Sequence, residues 1–247
     1  MIRFENVSKY FEETQVLQDL NFQIDEGEIV CLIGPSGCGK TTTLRLVNRL
    51  IEPSSGKIYI QDKDISNIDP VELRRSIGYV IQQIGLFPHM TIEKNISVVP
   101  RLKGWKEKDY CKRVDELLEM VGLDPNVYKK RYPAELSGGQ QQRIGVIRAL
   151  AANPSIILMD EPFSALDPIS REQLQDELIK IQMEIRKTIL FVTHDMDEAL
   201  KLADKIGFMH EGKLIQLDTP EAILNRPAND FVRDFIGEKR LKKHLKQ

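Results

Sequence analysis

With 247 residues, the chain is long enough for one large domain or two small ones and can bury a substantial core. Hydrophobic residues make up 41% and charged residues 29%, which argues against disorder, and a formal net charge of -2 argues against whole-protein attraction to nucleic acid or to an anionic membrane surface. The longest apolar runs are far too short to cross a bilayer, and three cysteines without framework spacing (Cys31, Cys38, Cys111) fit a reducing cytosol.

The first strand is expected to start at Ile2, with no charged-then-apolar leader ahead of it. Ile29-Val30-Cys31-Leu32-Ile33 is apolar without alternation, the pattern of a parallel strand buried on both faces. It runs into Gly34-Pro35-Ser36-Gly37-Cys38-Gly39-Lys40-Thr41, which matches the phosphate-loop pattern G-x-x-x-x-G-K-[ST]. The glycines let successive backbone N–H groups curl around phosphate oxygens, and a helix beginning near Lys40 aims its positive end at the same anion. Lys40 is then expected to neutralise β- and γ-phosphate charge and Thr41 to ligate Mg²⁺. The candidate ATP contacts here are Gly34, Pro35, Ser36, Gly37, Cys38, Gly39, Lys40, Thr41 and Thr42, with Cys38 as a neutral spacer.

Tyr79-Val80-Ile81 is the next expected strand, followed by Gln82, preferred over Gln83 as the amide that reaches metal and water. Val114, Leu117, Leu118 and Val121 mark one face of an amphipathic helix. Ser137 with Gln140 three residues on is a capping-box pattern, so a helix is expected from here through Arg143, Ile147 and Leu150. Gly138 and Gly139 in its first turn leave backbone N–H groups unobstructed, a second anion-binding helix end.

Ile156-Ile157-Leu158-Met159 is a third buried strand, closed by Asp160 and Glu161. A carboxylate at the inner end of an apolar run is costly unless paired or metal-bound, so Asp160 is read as an Mg²⁺ ligand and Glu161 as the base that polarises water. Leu174, Leu178, Ile181 and Ile185 mark another helix, and Ile189-Leu190-Phe191-Val192 a strand that ends in Thr193-His194. Ligands of open α/β sheets bind outside the carboxyl ends of the strands, so these four polar endings are expected to converge on one site. His89, His210 and His244 receive no role. Phe231, Val232, Phe235 and Ile236 suggest a last helix, and Lys239-Arg240-Leu241-Lys242-Lys243 a solvated helix face.

The phosphate loop, Gln82, Leu136-Ser137-Gly138-Gly139-Gln140, Ile156 to Glu161, Ser164-Ala165-Leu166-Asp167 and His194, in that order, resemble the ATP-binding-cassette ATPases over essentially the whole chain. The resemblance implies an α/β fold: a P-loop NTPase core with a mainly parallel sheet, an N-terminal antiparallel β subdomain and a helical signature subdomain. It implies an ATPase domain over 1–237, the helical part inserted at about 84–155, and a basic tail over 238–247. The implied cofactors are ATP and Mg²⁺, with Thr41, Gln82 and Asp160 at the metal and Glu161, His194, Gln82 and Lys40 in catalysis. Two copies are implied to dimerise head to tail, so that Ser137, Gly138, Gly139 and Gln140 of one read the ATP held by the other and Asp167 runs along the seam. Phe11, with Tyr10 in reserve, is implied to stack on adenine.

The segment Gly85-Leu86-Phe87-Pro88-His89-Met90-Thr91 is similar to cassettes of bacterial importers, which implies a groove near Gln82 to Thr91 that receives transmembrane permease subunits. It also implies a separate substrate-binding protein, no nucleic-acid partner, and a cytoplasmic position, peripheral on the inner face of the cell membrane. Tyr79 to Pro88 and Asn48 to Pro53 look like the osmoprotectant importers of glycine betaine, carnitine or choline, many of which continue into a paired CBS domain beyond the ATPase. The competing readings are an importer for a sugar, an amino acid or a metal, a cassette of DNA repair or chromosome organisation, a P-loop kinase, and a nucleotide sensor without turnover. The kinase has no use for Leu-Ser-Gly-Gly-Gln, and the long inserts of repair cassettes have no counterpart in this sequence.

Overall fold

The computed structural model describes residues 1–82, 85–238, 240 and 241. Gln83, most of the basic run (Lys239, Lys242, Lys243) and His244 lie outside the described residues. In chain order the elements are β1 (Ile2–Phe11), β2 (Thr14–Ile24), β3 (Ile29–Ile33), α1 (Lys40–Val47), β4 (Ser55–Ile60), β5 (Lys63–Asp64), α2 (Pro70–Ser76), β6 (Ile77–Val80), α3 (Ile92–Leu102), α4 (Glu107–Met120) and α5 (Pro125–Tyr128). They continue with α6 (Gly138–Leu150), β7 (Ile156–Asp160), α7 (Pro168–Ile185), β8 (Thr188–Thr193), α8 (Met196–Leu202), β9 (Lys205–His210), β10 (Lys213–Asp218), α9 (Pro220–Asn225) and α10 (Asp230–Ile236). They form two compact units, residues 1–70 with 188–247, and residues 71–187.

The first unit begins with an antiparallel sheet in the order β2-β1-β4-β5. Ile2 and Phe4 face its core while Arg3 and Glu5 turn outward, and Phe4 stacks on Phe22 of β2 with centroids 4.3 Å apart. Register shifts interrupt the β1–β2 ladder where Asn6 and Asp19 take left-handed backbone. Side chains satisfy the freed amides: Asn21 Oδ1 accepts from Asn6 N at 2.8 Å and Ser8 Oγ from Asp19 N at 3.0 Å. Beside it, β3 lies parallel to both β8 and β9, and β10 returns antiparallel to β9. All five residues of β3 are buried, the physical reason its sequence lacks alternation. The last helix, α10, buries Val232 and Ile236, sets Phe235 edge-on to Phe208 and stacks Phe231 on His210 at 4.0 Å, so His210 is a packing residue. Arg240 then binds both carboxylate oxygens of Asp197, each at 2.7 Å.

The second unit pairs β6 with β7 in parallel, Ile77 opposite Ile156 through Val80 opposite Met159; α6 packs on β6, and α3, α4 and α7 pack against α6. Val114, Leu117 and Leu118 of α4 and Leu174, Leu178 and Ile181 of α7 are buried, as their spacing predicts. The strand expected over 79–81 in fact spans Ile77–Val80, with Ile81 exposed beyond it. Gly78 explains the shift: a Cβ there would stand 2.5 Å from the carbonyl oxygen of Ala149, so the glycine lets β6 press against α6 and is part of the strand. Among the described residues no helix is long and apolar enough to cross a membrane.

Candidate active site

The phosphate loop sits where the sequence predicts, between β3 and α1, with Pro35, Ser36 and Gly37 exposed at its crown and Cys38, Gly39 and Lys40 buried. Gly39 caps α1 at φ 104°, and a Cβ there would stand 2.4 Å from Leu17 Cδ2, so both backbone and space demand glycine. Gly39 offers no side chain to cap this helix, and a helix start of this kind suits an anion. The Lys40 ammonium is threaded under the loop and donates to the carbonyls of Gly34 (2.7 Å) and Pro35 (3.0 Å). Thr41 and Thr42 are half-buried in the first turn, and Thr43 closes it by donating to the Gly39 carbonyl at 3.0 Å. Burial raises the Cys38 thiol above its ordinary pKa, against the opposing pull of Lys40, so it stays protonated at neutral pH and fits a spacer.

Thr193 of β8 lies opposite Ile33 of β3, so Gly34 and His194 leave the sheet side by side. His194 is exposed, and its turn is braced from behind. Thr193 Oγ1 donates to the buried Glu198 carboxylate at 2.5 Å and accepts from Asp195 N at 3.1 Å, while Asp195 caps α8 by accepting from Asp197 N at 2.8 Å. Glu198 was legible only as the last member of an Asp195-x-x-Glu198 capping pattern. Phe11 and Tyr10 end β1 with 45% and 43% exposure, and the Lys9 ammonium stands 5.0 Å over the Phe11 ring.

In the second unit, the carboxyl ends of β6 and β7 bring Gln82 to Glu161, the amide Nε2 donating to Oε2 at 3.0 Å. Asp160 closes β7 with 5% exposure. Glu161 takes a left-handed backbone at φ 46°, a conformation that costs a non-glycine residue about 1–2 kcal/mol. The Ser164 amide (3.2 Å) and hydroxyl (3.0 Å) both donate to its carbonyl and hold the turn. Of the four strand endings, the first unit thus brings together Gly34 and His194, and the second brings together Gln82, Asp160 and Glu161.

The capping box at α6 is complete: Ser137 Oγ accepts from Gln140 N at 3.3 Å and Gln140 Oε1 accepts from Ser137 N at 3.0 Å. Gln140 also donates to the Tyr128 hydroxyl at 3.0 Å, so its amide is engaged in building the helix start. Ser137 and Gly138 are exposed, and a Cβ on Gly138 would meet nothing within 4 Å. Asp167 caps α7, accepting from the amides of Ile169 and Ser170 at 3.1 Å each. The Ser170 hydrogen bonds lower its pKa, so its stabilising effect is present above the unfolded carboxyl pKa and is lost as pH falls through the folded one. Asp167→Ala is expected to lower the melting temperature at neutral pH and to flatten its decline in acid, which a thermal-melt series over pH 2 to 7 checks.

The family profile described as ABC transporter matches residues 17–164. The carnitine transport ATP-binding protein OpuCA of Listeria monocytogenes is 61% identical over 242 residues, 98% of this chain and 61% of that protein. The choline transport ATP-binding protein OpuBA of Bacillus subtilis (strain 168) is 59% identical, again over 98% of this chain and 63% of its own length. The chain thus spans less than two thirds of these relatives. The glycine betaine uptake system ATP-binding protein YehX of Escherichia coli (strain K12) is 49% identical over 98% of this chain and 78% of its length. Among solved structures, the dimeric post-hydrolysis state of the ATP-binding cassette MJ0796 bound to ADP and Pi superposes with a TM-score of 0.79 at 36% identity, covering 89% of this chain and 99% of that one. With the profile lying across the phosphate loop, signature helix and acid pair, this chain belongs to the ABC transporter family.

Proposed function

We propose that the chain is the ATP-hydrolysing subunit of an importer for a quaternary-amine osmoprotectant. The observation that carries hydrolysis is the Gln82–Glu161 contact at 3.0 Å: a carboxylate held by an amide on the end of a neighbouring strand is oriented as a base for water. Lys40 and the α1 amides bind the triphosphate, and Phe11 offers a flat face to the adenine. Thr41, Gln82 and Asp160 are hard oxygen donors that fit Mg²⁺, whose bound charge would neutralise the phosphates. His194, braced by Thr193 and Asp195, holds the γ-phosphate side of the site.

Two copies act together: the open Ser137–Gly138 helix start has the chemistry of a phosphate reader, and the similar cassette MJ0796 is a dimer bound to ADP and Pi. The ATPase comprises 1–237, with the helical part at about 84–155 inserted. Transmembrane permease subunits dock near Gln82 to Thr91, a separate binding protein delivers the cargo, and the chain works peripherally on the inner face of the membrane. The cargo follows from relatives named for carnitine, choline and glycine betaine, because an ATPase subunit never touches what is carried.

Purified chain should hydrolyse ATP with Mg²⁺ and stop when EDTA is added. Co-expressed with its neighbouring membrane subunits, it should drive uptake of labelled glycine betaine, carnitine or choline. Uptake of a sugar or metal ion instead would remove the cargo assignment and leave the ATPase assignment standing.

A further inference from the structure

Gln142 lies inside α6 at 2% exposure, although Gln140 and Gln141 beside it are half-exposed. Its Nε2 donates to the carbonyl of Pro162 at 2.5 Å, and its Oε1, also buried, has no hydrogen-bond partner among the described residues. An amide buried with its acceptor unmet is unfavourable, and methionine would fill the same length without that cost. Packing therefore does not account for the glutamine; the bond to Pro162 does.

Pro162 directly follows Glu161, the residue in left-handed backbone. The two carbonyls of this turn are held from different places: Glu161 O by Ser164 within the turn, and Pro162 O by Gln142 from α6. Proline has no N–H with which to anchor itself. Gln142 is five residues from Ser137, about 7.5 Å along a rigid helix, so displacement of the helix tip moves the Pro162 carbonyl with it. Arg143, the next residue, leads elsewhere, to the Val121 carbonyl (3.1 Å) and Glu177 (3.1 Å).

We propose that Gln142 is a positioning residue that ties the helix whose tip reads the partner's nucleotide to the turn that aims the same subunit's Glu161. Engagement of Ser137 and Gly138 at one ATP site thereby sets the base at the other. The inference rests on the shared-site reading above.

The test uses the full chain and three variants. Gln142→Met keeps the length and removes the donor, Gln142→Leu removes it with a shorter apolar side chain, and Ser164→Ala loosens the turn while leaving the α6 link in place. The parent is expected to show sigmoidal ATP dependence. Gln142→Met and Gln142→Leu should each lose on the order of 10- to 100-fold in kcat with KM for ATP little changed, and their ATP dependence should become hyperbolic. Ser164→Ala should lose kcat and stay sigmoidal. Circular dichroism identifies a variant that fails to fold, in which case the other Gln142 substitution decides. Parental kcat and sigmoidicity in a folded Gln142 variant overturn the proposal, as does a kcat loss with sigmoidicity intact, which reduces Gln142 to a bracket for the turn. A parent that is hyperbolic and monomeric with ATP sinks the shared-site reading itself, a failure visible before any variant is made.

Discussion

Glu161→Gln should bind MgATP as the parent does, lose about 10²–10⁴ in turnover and accumulate as an ATP-bound dimer. The substitution is nearly isosteric, and its amide oxygen can still accept from Gln82, so the contact at 3.0 Å and the Ser164 brace on the turn both survive. What disappears is basicity: an amide cannot draw the proton from an attacking water. The defect should therefore appear in kcat and not in nucleotide affinity. Steady-state hydrolysis, nucleotide titration and sedimentation with and without ATP measure the three quantities. The left-handed backbone adds a second readout. Glu161→Asn also removes the base but tolerates φ 46° better than glutamate, so its melting temperature should equal or exceed the parental value. Activity and stability would then move in opposite directions at one residue, as expected of a position held in strain for function. Hydrolysis at the parental rate by Glu161→Gln would move the base elsewhere in the site.

Much of this site is legible in the sequence because its parts are local. The phosphate loop is eight consecutive residues between an apolar run and a helix, and the capping box at Ser137 is decided by two side chains three residues apart. β3 and β7 are continuous apolar runs whose bounds follow from burial on both faces. Legibility fails where a distant residue decides. Gly78 lies just outside the strand expected over 79–81, and the Ala149 carbonyl that presses on it is a tertiary contact the sequence does not display. The left-handed φ of Glu161 belongs to a turn held partly from α6 and has no local signature. Gln142 hides in a run of three glutamines; the one available sign is that Val146 and Ala149, four and seven residues on, place it on a buried stripe. The brace of Glu198 on Thr193 is likewise a tertiary contact, although both residues flank the histidine the sequence singles out.

Gly138→Asp should leave the fold intact, or stabilise it slightly, and abolish most turnover. Gly138 is the first residue of α6, where a carboxylate interacts favourably with the helix dipole by about 0.3–1 kcal/mol. A Cβ added there meets nothing within 4 Å among the described residues outside the helix's own backbone. A triphosphate approaching that helix tip from a second copy meets a negative charge instead of open amides. At about 4 Å and an effective dielectric near 20 that repulsion is on the order of 4 kcal/mol, close to a thousandfold. Thermal melts and hydrolysis rates separate the two effects, and Gly138→Ala, which adds bulk without charge, should lie between parent and Gly138→Asp. Mixing gives the sharper form of the test. Gly138→Asp keeps a sound phosphate loop and base, while Glu161→Gln keeps a sound helix tip, so a mixed dimer assembles one complete site from two inactive chains. Random pairing at equal amounts makes half the dimers mixed with one complete site in two, at most about a quarter of the parental sites under two-fold symmetry; the sound base there belongs to the subunit whose own tip is blocked, so the link through Gln142 lowers the recovered rate below that quarter. Recovery on mixing is possible only if each ATP lies between two subunits; its absence, with both variants folded and binding ATP, would mean that a single chain completes the chemistry alone.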